Sequence, residues 1–567
     1  MDATDEVPDG GGAARAGSPG AGGSKLVRHF RQILLWPLQL MPIRPGSQLQ
    51  KHWELLEKNS PGNAWRELAD EFTGDASRFK ERHYFEFVSF LPQVQRFLYG
   101  ESMGREGQAW LAESPIRVFR RSDIAQVRLT YAGDPVPVTF AVAHVDLYFF
   151  YDIDVTMLAV EIYAHDLGLE RVQDTLYRFG RAYPLQWEPD GTASHCLERV
   201  EWLAATGEVL ARSDYEKREK YLSFVRERRA PCIASHWEFL LQPLVLNDSG
   251  QAGAIRYRQI EYHRMPLVAY LALDDPGALT RADFVRLGFA TAPGPSDSLP
   301  YSQRQLRHFE YRHCYDRHTG TGEGRPSIRF MCCGHTLVVV GSHHDAQFVD
   351  PETGILGEMR HQHFLLYLIA HFHKAALLML SDRLVIAMNK LAIDDAESVR
   401  QFKRTIRQLF EIFLRFTHRY WFHDVSDQAQ AKELFRMCAE HLGNDRLYSE
   451  VRDEIEDMSN YLDSDSLRRQ SNTILRLTVV TTFGLIATVT TGFLGMNLIN
   501  EADAPLGVKL LYFAIVLIPA TLLTFYAVLR SKRLSDFMEA LSDERLPPRT
   551  KLSALADVWR RPKKPVR

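Results

Sequence analysis

Two stretches near the C-terminus constrain this chain more than any other feature. Residues 477–498 run for 22 positions without a charged side chain, and residues 510–529 for 20. As helices rising ~1.5 Å per residue they reach roughly 33 and 30 Å, the depth of a hydrocarbon core. Arg468, Arg469 and Arg476 precede the first stretch, Lys509 and Arg530 bracket the second, and Lys532, Arg533, Lys563 and Lys564 follow. The link between them offers Glu501 and Asp503. Cationic residues collect on the cytoplasmic side of spans, so the sequence predicts two membrane helices with both termini in the cytoplasm. Residues 364–380 are equally apolar but carry His371, His373 and Lys374. They read as a buried helix of the soluble part.

Residues 1–24 are rich in Gly, Ala, Ser and Pro, have little to bury, and read as a disordered tail. Asp2, Asp5, Glu6 and Asp9 are wrong for a signal or transit peptide. Residues 25–48 form a basic amphipathic segment interrupted by Pro37 and Pro42, read as a helix on the soluble part or on a membrane surface. Over 49–360 strands (136–151, 158–163, 336–340) alternate with helix (169–179), which predicts an intracellular α/β domain. Strand signals stop in 361–470, where helices 363–391, 394–423 and 426–470 make a helical stalk region. Transmembrane helix 1 (471–498), an extracytoplasmic loop (499–509), transmembrane helix 2 (510–530) and a basic cytoplasmic tail (531–567) complete the chain. The fold class expected is an α/β domain plus a long helical stalk and two C-terminal transmembrane helices. Lys+Arg 68 against Asp+Glu 71 excludes a surface built for nucleic acid. Six cysteines among 567 residues suit a reducing compartment rather than a disulfide framework.

Two helices of one chain cannot enclose a water-filled path, so conduction requires an oligomer with one helix per subunit at the axis. Ser471, Ile474, Leu477, Thr481, Leu485, Thr488, Gly492 and Met496 recur at spacings of three and four and define one face. That face is apolar toward the cytoplasm and carries hydroxyls and a glycine farther out, a lining suited to a hydrated ion. It ends in Gly495-Met496-Asn497. Gly495 lets the backbone leave the helix, and a ring of Asn497 amide oxygens can hold hydrated Mg²⁺ through its waters. The same residues also serve as a helix C-cap. Here the sequence resembles the CorA family of divalent metal transporters, whose signature is Gly-Met-Asn at the outer end of the first of two C-terminal membrane helices. The resemblance is specific over 427–533 and architectural over 49–360. It implies a CorA-like homopentamer in a bacterial inner (plasma) membrane, with selectivity at Gly495, Met496 and Asn497. The transported cation, Mg²⁺ first and otherwise Zn²⁺, Ni²⁺ or Co²⁺, is the only ligand implied, and no resident cofactor is. Leu494 stands where the family has an aromatic residue, which leaves ion preference open. Glu501 and Asp503, repeated around a ring, would concentrate cations at the outer mouth.

The family also binds regulatory Mg²⁺ through acidic residues of its stalk, which the resemblance assigns to Asp457, Asp463 and Asp465. An acidic run on a long helix is equally a solvated face. The Cys and His residues between 313 and 344 lack the spacing of a zinc site, no P-loop register follows Gly320–Gly324, and no nucleophile elbow is present. The sequence therefore predicts a divalent cation channel or transporter and not an enzyme. A membrane-anchored oligomeric sensor or scaffold is the alternative, since the threonines of the first span could equally join helices.

Overall fold

Long apolar runs punctuated by single charges build most of this fold. The computed structural model describes residues 25–43, 51–58, 63–68, 79–100, 115–261, 263–295, 299, 301–315, 328–392, 395–495 and 505–529. The chain divides into two units, Met1–Met458 and Ser459–Arg567.

Among the described residues the first unit is organised on one mixed sheet of 14 strands. The strands that matter here are β1 (Leu26–Leu40), β2 (Ile116–Arg121), β3 (Gln126–Tyr131), β4 (Asp134–Phe150), β5 (Val155–Gly168), β6 (Arg199–Leu203), β7 (Val209–Arg212), β8 (Leu267–Leu273), β9 (Cys314–Tyr315), β10 (Arg329–Cys332) and β11 (Thr336–Ser342). Their order is β9-β10-β11-β8-β1-β5-β4-β3-β6-β7, with β2 beside β4 and three short strands off this path. β8 and β11 pair in parallel and the other neighbours on the path antiparallel.

The segment 25–48, expected as an amphipathic helix, is a correction. Its residues 26–40 are β1, a central strand in register with β5 from Leu26↔Gly168 to Gln39↔Val155 and with β8 on its other edge. The physical reason lies in Ile33-Leu34-Leu35-Trp36, an apolar run without a solvent face, which suits a strand buried on both sides. The α/β fold therefore starts about 23 positions earlier than the expected 49 (49 − 26).

Alternate residues of the sheet feed two layers. Phe30, Leu34, Trp36, Val145, Leu147, Leu158, Val160 and Leu271 belong to one hydrophobic core with Leu176, Trp202 and Trp237. The helices used below are α1 (Glu81–Val88), α2 (Leu169–Arg178), α3 (Ser235–Leu241), α4 (Arg281–Phe289), α5 (Phe364–Asn389), α6 (Ala396–Arg419), α7 (Ala429–Leu442), α8 (Asn444–Gly495) and α9 (Leu506–Leu529). Leu176 of α2, Trp237 of α3 and Val285 of α4 enter that first core. α5 packs against β1 and β5. There the Tyr367 hydroxyl donates to the Gly334 carbonyl at 3.0 Å, and His371 Nε2 lies 3.0 Å from the same oxygen. Segment Ile355–Asn389 is long and apolar enough to cross a membrane, but 78% of its most apolar stretch is buried inside this unit. It is a core helix, as its histidines and lysine suggest. Through Met458 the helices belong with the sheet, so 361–458 is not a stalk set apart from the α/β domain.

The helix expected over 426–470 is two helices. Gly443 adopts φ 70°, a left-handed conformation that stops α7 and lets α8 restart at Asn444, whose amide donates to the Ala370 carbonyl at 2.9 Å. α8 then continues without interruption for 52 residues.

Candidate functional site

In the second unit the chain forms the end of α8 and the whole of α9. At ~1.5 Å per residue the 24 residues of α9 extend roughly 36 Å, with Pro519 in the interior. The large apolar side chains Leu506, Leu510, Leu511, Phe513, Ile515, Ile518 and Leu522 are exposed on α9, and Ile474, Leu485, Val489 and Phe493 on α8. So much apolar surface in water is unfavourable by ~25 cal/mol per Å² and marks a surface covered by lipid or protein.

Of the face expected to line a path, Ile474, Thr481, Leu485, Thr488, Gly492 and Gly495 lie exposed on α8. Positions 474, 481, 488 and 495 are seven apart, as are 485 and 492, the spacing of a seam along which helices gather. Ser471, Leu477, Asp463 and Asp465 also fall on α8. Met496, Asn497, Glu501 and Asp503 lie outside the described residues. Ile486 and Thr490, four apart, are buried. The hydroxyls of Thr488, Thr490 and Thr491 donate to the carbonyls of Gly484, Ile486 and Ala487 at 2.8, 2.7 and 2.8 Å. With their protons given to the preceding turn, the exposed oxygens of Thr488 and Thr491 act as acceptors, the polarity that suits waters around a cation. Added Cβ atoms at Gly484, Gly492 and Gly495 meet nothing within 4 Å among the described residues.

Asp457 is exposed on α8 at the end of the first unit. Among the described residues no group of three or more His, Cys, Asp or Glu side chains is set to hold a metal. The Cys/His region between 313 and 344 is occupied otherwise. His313 stacks on His441 with centroids 4.3 Å apart, His344 Nε2 lies 3.1 Å from Asp274, and the Cys333 thiol is 2.9 Å from the Thr336 hydroxyl.

A second feature escaped the sequence. On the α5 side of the sheet, β1, β4, β5 and β2 place Arg31, His144, Asp146, Glu161 and Arg120 in one buried ion network. Glu161 pairs with Arg31 and with Arg360, the latter at 3.2 Å, while His144 Nδ1 lies 3.2 Å from Glu161 and Nε2 3.6 Å from Asp146. Arg120 grips Asp146 through two bonds of 2.8 Å. The Arg31 guanidinium also sits 4.6 Å over the Tyr163 ring. Burial alone would raise the Glu161 carboxyl, but the charges of His144, Arg31 and Arg360 hold it well below the usual carboxylate range. Arg360 belongs to a π-helical turn, Met359–His363, that leads into α5. In the same turn His361 lies 3.4 Å from Glu86 of α1, and burial pushes that imidazole far down. The network thus ties four strands to the start of the core helix. Its signal in the sequence is a single charge inside an apolar run: Asp146 between Val145 and Leu147, Glu161 between Val160 and Ile162.

A comparison of the chain with protein-family models finds no match, and neither does one with curated proteins.

Proposed function

We propose that this chain is the subunit of a CorA-like homo-oligomeric channel or transporter for divalent cations, with Mg²⁺ the first candidate and Zn²⁺, Ni²⁺ and Co²⁺ the others. The observation that carries the reading is the Gly495-Met496-Asn497 tripeptide at the end of α8, after a charge-free stretch and before a second apolar helix. The exposed face from Ile474 to Gly495, with the Thr488 hydroxyl oxygen on it, supports a path for hydrated ions at the axis of a pentamer. Asn497 then supplies one amide oxygen per subunit at the mouth, and Glu501 and Asp503 gather cations outside it. Both termini lie in the cytoplasm, and a doubly charged ion gains about 4.6 kcal/mol on entry per 100 mV. Acidic side chains at Asp457, Asp463 and Asp465 repel one another across subunits unless a cation bridges them, which couples ring closure to cytosolic Mg²⁺.

The test is metal influx into liposomes containing the full chain, with N497A beside the wild type and Mg²⁺, Zn²⁺, Ni²⁺ and Co²⁺ offered in turn. Influx of one or more of these ions that falls at least tenfold in N497A upholds the proposal. Absence of flux under every gradient overturns it and leaves a membrane-anchored scaffold.

A further inference from the structure

Exposed charges on α6 and on the first turns of α8 form two matching ladders. Arg400, Arg404 and Arg407 follow an i, i+4, i+7 spacing on α6, and all three are exposed. Glu450, Glu454 and Asp457 repeat the same spacing on α8 and are likewise exposed. Seven residues of helix cover ~10.5 Å, so three cations and three anions stand at equal intervals. Of the other charges on these helices, Arg415 and Arg419 pair with Asp152 and Arg452 with Asp453, while Asp445 and Glu456 add to the exposed acidic side chains of α8. Arg400 and Glu450 have only local partners, Glu397 at 3.4 Å and Arg446 at 2.9 Å. Arg404, Arg407, Glu454 and Asp457 have no ion-pair partner among the described residues. Phe410 and Leu414, half-exposed, continue the basic face of α6. Tyr448 stacks on Phe413 and on Trp421 at centroid distances of 5.5 and 4.6 Å, which fixes the start of α8 against the end of α6.

We propose that the occupant of each ladder is the other ladder on a second copy of this chain. The basic face of α6 in one subunit meets the acidic start of α8 in the next, with Arg404 and Arg407 against Asp457 and Glu454. A contact between two different patches repeats from subunit to subunit instead of ending at a dimer, and closes into a ring where its rotation divides a full turn. The inference rests on the oligomer proposed above and names its contact outside the spans. Arginine here takes Asp457 out of the cation-bridged set, which leaves Asp463 and Asp465 to bind cytosolic Mg²⁺, and the contact itself survives removal of divalent cations.

The experiment co-expresses two differently tagged full chains, one carrying R404C and the other D457C, and treats the detergent-solubilised protein with a short bismaleimide. Chains lacking either introduced cysteine are the controls, since the six native cysteines are buried or half-buried. A dimer bearing both tags is expected, unchanged in a chelator and reduced several-fold in ~1 M salt, where the Debye length is about 3 Å. The charge reversals R404E/R407E and E454R/D457R should each lower the yield of mixed dimer at least fivefold in otherwise unaltered cysteine pairs placed one turn away, and their combination in one chain should restore it. No mixed dimer overturns the inference, as does a combined reversal that fails to restore it. If α6 instead rests on anionic lipid, the dimer is absent and R404E/R407E weakens flotation with phosphatidylserine vesicles, which also overturns it. A mixed dimer without ion flux keeps the contact and refutes transport. Flux without a mixed dimer does the reverse.

Discussion

Replacing Glu161 by glutamine keeps the shape of the side chain and removes the charge on which Arg31, Arg360 and His144 converge. Glu161 is fully buried and the Arg31 side chain is 5% exposed, so water cannot take over the lost role. Breaking a buried ion pair from one side costs about 3–5 kcal/mol, because the remaining cation stays desolvated. With a urea slope near 3 kcal/mol per molar, the midpoint of the first unit falls by about 1–1.7 M. Tryptophan emission from the full chain in detergent reads this transition, since Trp36, Trp202 and Trp237 are all buried in that unit. The pH dependence supplies an independent check. The native carboxyl lies below its unfolded value, so its stabilisation is present above about pH 4.3 and disappears as pH falls toward the native value. E161Q should therefore be less stable at pH 7 and lose less on acidification. A triple change, R31M with E161L and R360L, should recover most of the deficit. An E161Q midpoint within about 0.2 M of wild type at pH 7 would refute the reasoning.

Burial raises the Glu358 carboxyl to about 7, so its cost is absent below about pH 4.3 and grows as pH rises through 7. E358Q should match wild type near pH 4.5 and exceed it in thermal midpoint at pH 8.5. Gly443 holds φ 70°, and G443A should cost about 1 kcal/mol in urea unfolding by forcing a Cβ into the left-handed region, with no clash to add to it. The exposed pair Arg446–Glu450 at 2.9 Å should matter little, R446A shifting unfolding by less than about 0.5 kcal/mol.

How much of this was legible follows from which signals are local. The apolar runs read as strands at 136–151 and 158–163 fall within or close to the observed strands 134–150 and 155–168, the second of which extends beyond its expected bounds at both ends. The histidines and lysine of 364–380 excluded a span because their polar cost in lipid is local too. Residues 26–40 failed because Arg28, His29 and Arg31 read as one polar helical face. In the sheet, Arg28 reaches Asp166 and Asp274 while Arg31 meets Glu161, partners more than 120 positions away. No spacing within one segment reveals such a pairing. The ion network was hidden for the same reason, its members being 31, 120, 144, 146, 161 and 360. Gly443 was visible as a residue but not as a stop, since a helix tolerates an isolated glycine at ~1 kcal/mol. At the candidate site the period of the expected face is a matter of sequence spacing alone, whereas the hydroxyl bonds of Thr488, Thr490 and Thr491 required the backbone.

The position of β1 has a consequence for how the protein is made. Among the described strands it is synthesised first, and it sits between β5 and β8, the latter ending at Leu273. Ribosomes add roughly 5–20 residues per second, so the strand ending at Leu40 waits on the order of 10–50 s for its second neighbour. During that interval Ile33-Leu34-Leu35-Trp36 is an open template for any other nascent chain. Yield should thus depend on translation speed and chaperone supply between codons 40 and 273, well before the apolar helices α8 and α9 have emerged.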